Sequence, residues 1–413
     1  MPTPASNTFK PSTIVSRFAA KALRNNAQTH NRLRNDNIDA YRVAGYKGGE
    51  TVKIKLPPRY VSATGATISK NNTVESTVDL TLVQRNIGIG VATLPQTVTV
   101  NNMMDFLDPI MAQLATDWEQ SLLQTLYYGA ENLVTPGAIS TTTGPAAWTG
   151  ADVSTRAVLG QAKARLTEKG FPDDGQRFGM LTPAAQAALS DANSALFTPV
   201  QQLADQYKKG LIGEYNGIKW SESAVLPRHT AGTRTNVTPL IDGAQTGASL
   251  LMKGTGNAVT VNKGDQFVIG GLFGINPLTR VSTGKLQVFT VTANATSAAG
   301  GALTVAIAPS INVTSPGQTV SASAADGATV TWMGGASAAT DVNLAWHKES
   351  GASVMFPLTK VKDSYVFTDS DSGMSVRVVE VPYDGENDEE VLRVDLLSGA
   401  TVIRGAGIVR LQA

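Results

Sequence analysis

DPIMAQLATDWEQSLLQTLYYG, Asp108 to Gly129, is the stretch on which the fold turns. Ile110, Leu114, Trp118, Leu122 and Leu126 recur at four-residue spacing, and Met111 and Leu123 widen the stripe, which is the pattern of one buried helix face. Asp108 has the side chain of an N-cap, Pro109 suits the first helical position, and Gly129 suits the left-handed residue that ends a helix. Roughly twenty residues at about 1.5 Å each give a rod of about 30 Å. Alone, such a segment reads as a core helix. Its neighbours give it a more particular meaning.

Upstream lies a basic arm. Lys10, Arg17, Lys21, Arg24, Arg32 and Arg34 precede the first acid, Asp36. The composition is that of a transit peptide or of an exposed structural arm. Ser12 can cap a short helix to about Leu23, with Ile14 and Phe18 on one face and Arg17, Lys21 and Arg24 on the other. So short a helix is marginal alone and needs a partner surface. From Gly49 the period becomes two. Val52, Ile54 and Leu56 alternate with lysines up to Pro57-Pro58, and Val78, Leu80 and Leu82 resume after a polar tip. Ile87, Ile89 and Val91 continue after a break in register. The expectation is a long two-stranded hairpin, which needs support because an isolated hairpin is barely stable in water.

Downstream, residues 151–169 read as a second helix with Val158, Leu159, Ala162 and Leu166 inward. Arg177–Leu181 is a short buried strand, and Thr182 caps a third helix. VQQLADQYKK (200–209) is helical, and GEYNGIKWSES (213–223) is a flap and strand. From about Pro227 the charge thins, and short strands follow near 258–261, 266–271, 286–292, 302–308 and 328–333. Gly264-Asp265, Asn276-Pro277, Gly300-Gly301 and Asp326-Gly327 supply the turns. This spacing indicates a small barrel or sandwich. At about Asp341 the mixed texture resumes, so the β block reads as inserted into an α+β domain.

Composition narrows the function. The 413 residues are 42% hydrophobic with a net charge of +1, so the chain folds and carries no global field that marks a nucleic-acid or membrane binder. Cysteine is absent, which excludes disulfides and thiol chemistry. No apolar run approaches the roughly eighteen residues of a membrane span. The three histidines, His30, His229 and His347, stand in no metal-ligand spacing and read as structural or exposed. No nucleophile elbow, phosphate loop or dinucleotide fingerprint occurs; Gly88-Ile-Gly90 lacks the third glycine. The acidic run from Asp384 to Glu390 lacks the spacing of a calcium loop and reads as a solvated hairpin tip. No catalytic, cofactor or metal site is expected, and the chain reads as a non-enzyme.

Three stretches then carry a resemblance: GYKGGETVKIKLPPRYV (45–61), VNKGDQFVIGGLFGINPLTRVSTGKLQVFTVTA (261–293), and NLAWHKESGASVMFPL (343–358) with SGMSVRVVEVPYD (372–384). In this order they resemble the major capsid (coat) proteins of tailed double-stranded-DNA bacteriophages, nearest to the short-tailed Salmonella-type phages, whose coat carries an inserted β domain. The resemblance implies an HK97-type α+β capsid fold with an inserted all-β barrel. Residues 1–44 would be the N-terminal arm and 45–95 the E-loop hairpin. Residues 96–170 would be the peripheral domain with its spine helix at 108–128, and 171–227 the first part of the axial domain. The insertion domain would be 228–340, and 341–413 the remainder. The C-terminal TVIRGAGIVRL departs from relatives that have Pro and Glu after the Arg.

The same resemblance implies a virion shell of pentamers and hexamers, assembled in the bacterial cytoplasm from a procapsid that matures by domain rearrangement. The partners would be other copies, a scaffolding protein, a portal and packaged DNA bound without sequence preference; no membrane and no cofactor enter. Arg17, Lys21, Arg24, Arg59, Lys70 and Arg85 are the candidate intersubunit contacts. The arm would meet an acidic protein surface or the DNA phosphates. IDGAQTGASLLMKG (241–254) is the candidate exposed loop of the insert. The competing expectations are a carbohydrate-active enzyme with a β accessory module, which needs a converging carboxylate pair, and a secreted binding module.

Overall fold

The computed structural model describes residues 28–35, 51–62, 64–66, 70, 75–92, 103–135, 156–192, 213–234, 238–314, 316–369, 373–384 and 389–412. The expected arm helix at 12–23, the helical segment at 200–209 and most of the acidic tip at 384–390 lie outside these residues. Among those described, the fold is α+β, with few helices and many strands. The chain divides into two compact units, one of residues 1–54, 77–122 and 352–401, the other of 55–76, 123–351 and 402–413. The division falls within the long helix α1 (Met103–Gly129).

In the first unit, β1 (Thr51–Lys55) pairs with β2 (Thr77–Thr81), and the next strand, β3 (Val83–Ala92), does not continue that hairpin. It pairs antiparallel with β22 (Glu389–Val402) over ten residues, from Val83 opposite Ser398 to Ala92 opposite Glu389. The sheet continues from β22 through β21 (Ser375–Asp384) to β20 (Ser364–Thr368), with β19 (Gly351–Phe356) on the far side of β22. The expected long hairpin is thus a short one whose second strand hands over to a different sheet. The break at Leu82 is where the apolar alternation changes face.

The root of that hairpin finds the support it needs within its own chain. Val52 and Ile54 on β1 and Leu80 on β2 are 1%, 1% and 0% exposed, because their alternate side chains turn into the chain's own core. Gly399 lets Leu80 approach β22: a Cβ there would lie 2.7 Å from the Thr81 carbonyl oxygen.

The second unit holds a sheet in the order β4 (Asn132–Val134), β23 (Ile408–Leu411), β18 (Asn343–His347), β5 (Arg177–Leu181), β7 (Ile218–Glu222), β6 (Glu214–Tyr215). Helices α2 (Arg156–Glu168) and α3 (Pro183–Ala192) pack on it. Val158, Leu159, Ala162 and Leu166 of α2 form one core with Leu181, Trp220, Ala345 and Val409, as the helical period demands. Thr182 caps α3, its hydroxyl accepting the Ala185 N–H at 3.3 Å. The chain leaves this sheet after β7 and returns to it at β18, which pairs directly with β5.

Between those points lies a sheet in the order β16 (Val330–Trp332), β12 (Gln266–Ile275), β13 (Ser282–Val291), β15 (Leu303–Ile311), β10 (Gly247–Lys253), β9 (Leu240–Ile241). Its two edges meet. The Ile241 N–H donates to the Ala328 carbonyl at 2.9 Å, and the Val330 N–H to the Pro239 carbonyl at 2.8 Å. The sheet is therefore a closed barrel, filled by Phe267, Phe289, Val305, Ile307 and Leu250. Two short pairs flank it: β8 (Arg228–Thr230) with β17 (Ala339–Asp341), and β11 (Thr260–Val261) with β14 (Ala295–Thr296). A second apolar patch on the barrel, Val268, Leu286 and Val288, packs on Leu133 of β4.

Three further expectations need correction. Helix α1 begins at Met103, so Asp108 is not its N-cap and Pro109 stands inside it. The apolar residues Met103, Met104, Phe106 and Leu107 extend the helical pattern upstream, and only one hydrogen bond, the one Pro109 cannot donate, is forgone. Gly129 has no positive φ and is the last residue of the helix. It is needed for closeness: a Cβ there would lie 2.8 Å from the Val402 Cβ. The segment 241–254 is no exposed loop but contains β10, with Leu250 and Met252 buried in the barrel. Its turn is pinned by Lys253, whose Nζ lies 3.3 Å from Asp242 and 2.9 Å from Asp326.

Candidate functional sites: a buried junction, an anchored arm root and an exposed knob

The densest polar site among the described residues lies within the second unit, where the end of α1, the base of the barrel and β23 converge. Arg410 is fully buried in β23. Its Nε and Nη2 donate to the Tyr127 carbonyl at 3.2 and 3.1 Å, and its Nη1 donates to the Gly264 carbonyl at 2.7 Å. The last turn of α1 carries no basic residue of its own, so Arg410 supplies the cation that a helix C-terminus favours. The guanidinium also lies 4.0 Å from the centre of the Tyr127 ring.

The Tyr127 hydroxyl meets Nδ1 of His229, and Nε2 of His229 lies 2.9 Å from Asp265 Oδ1. One neutral tautomer satisfies both bonds: Nε2–H donates to the carboxylate, and Nδ1 accepts from the tyrosine. Asp265 accepts further bonds from the Asn262 and Gly232 amides at 2.8 and 3.2 Å, and Arg234 lies 3.4 Å away.

The electrostatics agree with this assignment. Burial pushes the Tyr127 hydroxyl up to about 12. Burial lowers the His229 pKa, against the pull of Asp265. Burial alone raises Asp265, but His229, Arg234 and the Asn262 amide outweigh it and hold the carboxyl below its ordinary value. Gly264 makes room for the arrangement: its φ is +96°, and a Cβ would lie 2.6 Å from the Tyr127 hydroxyl. A tyrosine–histidine–aspartate relay resembles a proton-transfer chain. Here Tyr127 and Asp265 are 2% and 0% exposed, so the chain's own atoms seal it and its work is to fix geometry.

Within the first unit, Glu119 of α1 anchors the segment 28–35. Its carboxylate accepts the Gln28 N–H at 3.0 Å and the Thr29 hydroxyl at 2.7 Å. Burial raises its pKa, opposed by Thr29, Gln28 and Arg32. The His30 ring packs 6.3 Å from that of Trp118 and bonds to the Ser353 hydroxyl, and the Ser353 N–H donates to the Arg34 carbonyl at 3.1 Å. All three histidines are buried and bonded, His347 lying 3.2 Å from Asp174.

The expected contact residues separate. Arg17, Lys21 and Arg24 lie outside the described residues. Lys70 is exposed at the hairpin tip. Arg59 is exposed and close enough to Glu131 to hold down a carboxyl that burial pushes up. Arg85 is engaged in its own chain, its guanidinium donating to Ser398 at 2.7 Å and Ser121 at 2.8 Å over the Trp118 ring. The junction escapes sequence reasoning because its members stand at 127, 229, 234, 265 and 410. The one local signal is an arginine at an inward position of the apolar run IVRL.

The family model described as "P22 coat protein – gene protein 5" matches residues 247–408, from the first residue of β10 to the first of β23. No curated protein matches the chain. Three solved structures are similar. One is from Mycobacterium phage Che8, at 13% identity and TM-score 0.45, covering 92% of this chain and 89% of that one. The capsid of Ralstonia phage GP4 gives 9%, 0.48, 88% and 83%. The capsid of cyanophage P-SCSP1u gives 11%, 0.44, 89% and 84%. At such identities and with TM-scores under 0.5, no role follows from these superpositions.

Proposed function

We propose that this chain is the major capsid protein of a tailed double-stranded-DNA bacteriophage, a non-enzymatic subunit of HK97-like α+β fold that associates with its own copies into an icosahedral shell. One observation carries the reading. The coat-family match runs from β10 through the rest of the barrel and continues through β18, β19 and the strands β20 to β22. It therefore joins two structurally different parts of the chain, in one order, under one family.

On this reading residues 228–340 are an inserted domain, as in the coat proteins of short-tailed Salmonella-type phages. Residues 1–44 are the N-terminal arm, and 45–95 are the E-loop. Copies gather as pentamers and hexamers around symmetry axes. A separate scaffolding protein guides them into a procapsid in the host cytoplasm, a portal occupies one vertex, and entering DNA accompanies a rearrangement of hinged domains. The basic arm residues Arg17, Lys21 and Arg24 face scaffold or phosphate, and Arg59 and Lys70 on the hairpin tip reach neighbouring subunits. Arg85 contributes within its own chain, tying β3 to Ser398 of β22 and Ser121 of α1.

The test is expression of the chain with and without a scaffolding protein, followed by negative-stain electron microscopy. Closed shells of uniform diameter are expected. A product that remains monomeric under all assembly conditions overturns the reading.

A further inference from the structure

Among the described residues, the large apolar side chains most open to solvent are Leu278, Val281 and Tyr60, at 74%, 65% and 57%. They belong to two distant segments that the second unit brings together. Leu278 and Val281 sit on the turn between β12 and β13, and Tyr60 follows Pro57-Pro58 at the hairpin tip. Arg280 joins the segments by donating from Nη2 to the Tyr60 carbonyl at 2.9 Å. We infer that this apolar knob is a contact surface for a second copy of the chain, with Leu278 and Val281 at its centre and Arg280 as the residue that holds its two halves together.

The turn is built to be rigid. The Asn276 side-chain oxygen accepts the amides of Leu278 and Thr279 at 2.9 and 3.3 Å, and its carbonyl accepts the Arg280 N–H at 2.8 Å. Arg280 itself is held at a φ of 59°, a conformation unfavourable to its side chain and stabilised by these bonds. Leu278 rests on Gly170, where a Cβ would lie 3.0 Å from its Cδ1. A contact surface already ordered loses little entropy on docking.

Size and charge choose the occupant. Three side chains of this kind cover on the order of 300–400 Å², far below the roughly 1,200 Å² of a stable stand-alone interface. A single partner bound here alone would dissociate. Identical copies that present the same knob at every repeat make a small contact count many times over. The outward side chains of the knob, Leu278, Val281 and Tyr60, carry no charge, and the Arg280 guanidinium among them is turned to the Tyr60 carbonyl. An apolar surface of a sister chain fits both facts.

This inference rests on the shell reading, and the experiment separates the two. Leu278→Asp combined with Val281→Asp places charge at exposed positions. The expected result is unchanged monomer melting with particle yield reduced about tenfold or more. Arg280→Ala is expected to give an intermediate loss. Because the chain has no cysteine, Leu278→Cys gives a single label site whose maleimide reaction is fast in the monomer and at least about tenfold slower in shells. Wild-type shells with full assembly of the double variant and equal labelling rates overturn the knob and leave the shell reading standing. A wild-type chain that never assembles overturns both.

Discussion

Arg410 and Tyr127 are joined twice: the guanidinium donates two hydrogen bonds to the tyrosine carbonyl and lies 4.0 Å from the centre of its ring. The pair connects the last strand to the last turn of the long helix. The third donor of the same guanidinium reaches Gly264, at the entrance to the barrel. Three chain segments therefore depend on one side chain.

Arg410→Ala should be among the most damaging single changes. It strips a cation from the helix end and leaves the carbonyls of Tyr127 and Gly264 without that donor. The loss expected from breaking a buried charged arrangement is about 3–5 kcal/mol. The urea midpoint of the monomer measures it. A shift corresponding to less than about 1 kcal/mol, the range of an ordinary surface substitution, would show that the junction is not a keystone.

Acid should loosen the same junction. The folded-state pKa of His229 lies below its ordinary 6.5, so the unfolded chain binds the proton more readily. The contribution is complete at neutral and alkaline pH and is lost as pH falls below about 6.5. Asp265, also held below its ordinary 3.8, adds a second loss at lower pH of the same sign. The raised carboxyls of Glu119 and Glu131 act with the opposite sign, so the readout is comparative: from pH 8 to 5 the wild-type melting temperature should decline relative to that of His229→Gln. An equal slope in the variant would assign the decline to other groups.

Gly129→Ala sets two effects against each other. In a helix alanine is favoured over glycine by about 1 kcal/mol. The added methyl, however, meets Val402, and overpacking costs about 1–3 kcal/mol. With a Cβ-to-Cβ separation of 2.8 Å, the steric effect should win and the variant should melt lower. Val402→Ala in the same chain should recover part of the loss, and a thermal double-mutant cycle reads the coupling.

Glu119→Ala should release the segment 28–35. The Gln28 amide and the Thr29 hydroxyl lose their acceptor, at a cost of about 1–3 kcal/mol for buried donors left unpaired. Hydrogen exchange at residues 28–35 should accelerate about tenfold or more, while exchange in the barrel is unaltered. Uniform acceleration everywhere would point to global destabilisation instead.

Periodicity carried much of the fold. The inward residues of α2, the strand Arg177–Leu181 and the cap at Thr182 follow from spacing and side-chain chemistry, and the structure has them there. Two errors came from local signals that a wider context outweighs. Asp108-Pro109 has the chemistry of a helix start, but apolar residues on its N-terminal side extend the helix. The segment 241–254 reads as a loop because glycines and polar residues interrupt it, yet Leu250 and Met252 alternate into a core that other strands complete. The partner of β3 was illegible for a different reason: alternation says that Ile87 and Ile89 share a face, not which of several alternating strands lies beside them. The junction is a case of the same kind. Five residues scattered from 127 to 410 carry no common motif, and only their convergence gives them a role.

The meeting of the barrel's first and last strands has a consequence for crowding. A sheet that ends in open backbone offers its rim to any similar sheet, and strands then zip together without regard to the intended partner. Here the Ile241 and Val330 amides, which would form that adhesive rim, are taken up by Ala328 and Pro239. Identical barrels held side by side at high local concentration can touch through their side chains alone, which keeps each an individual body rather than a seed for one merged sheet.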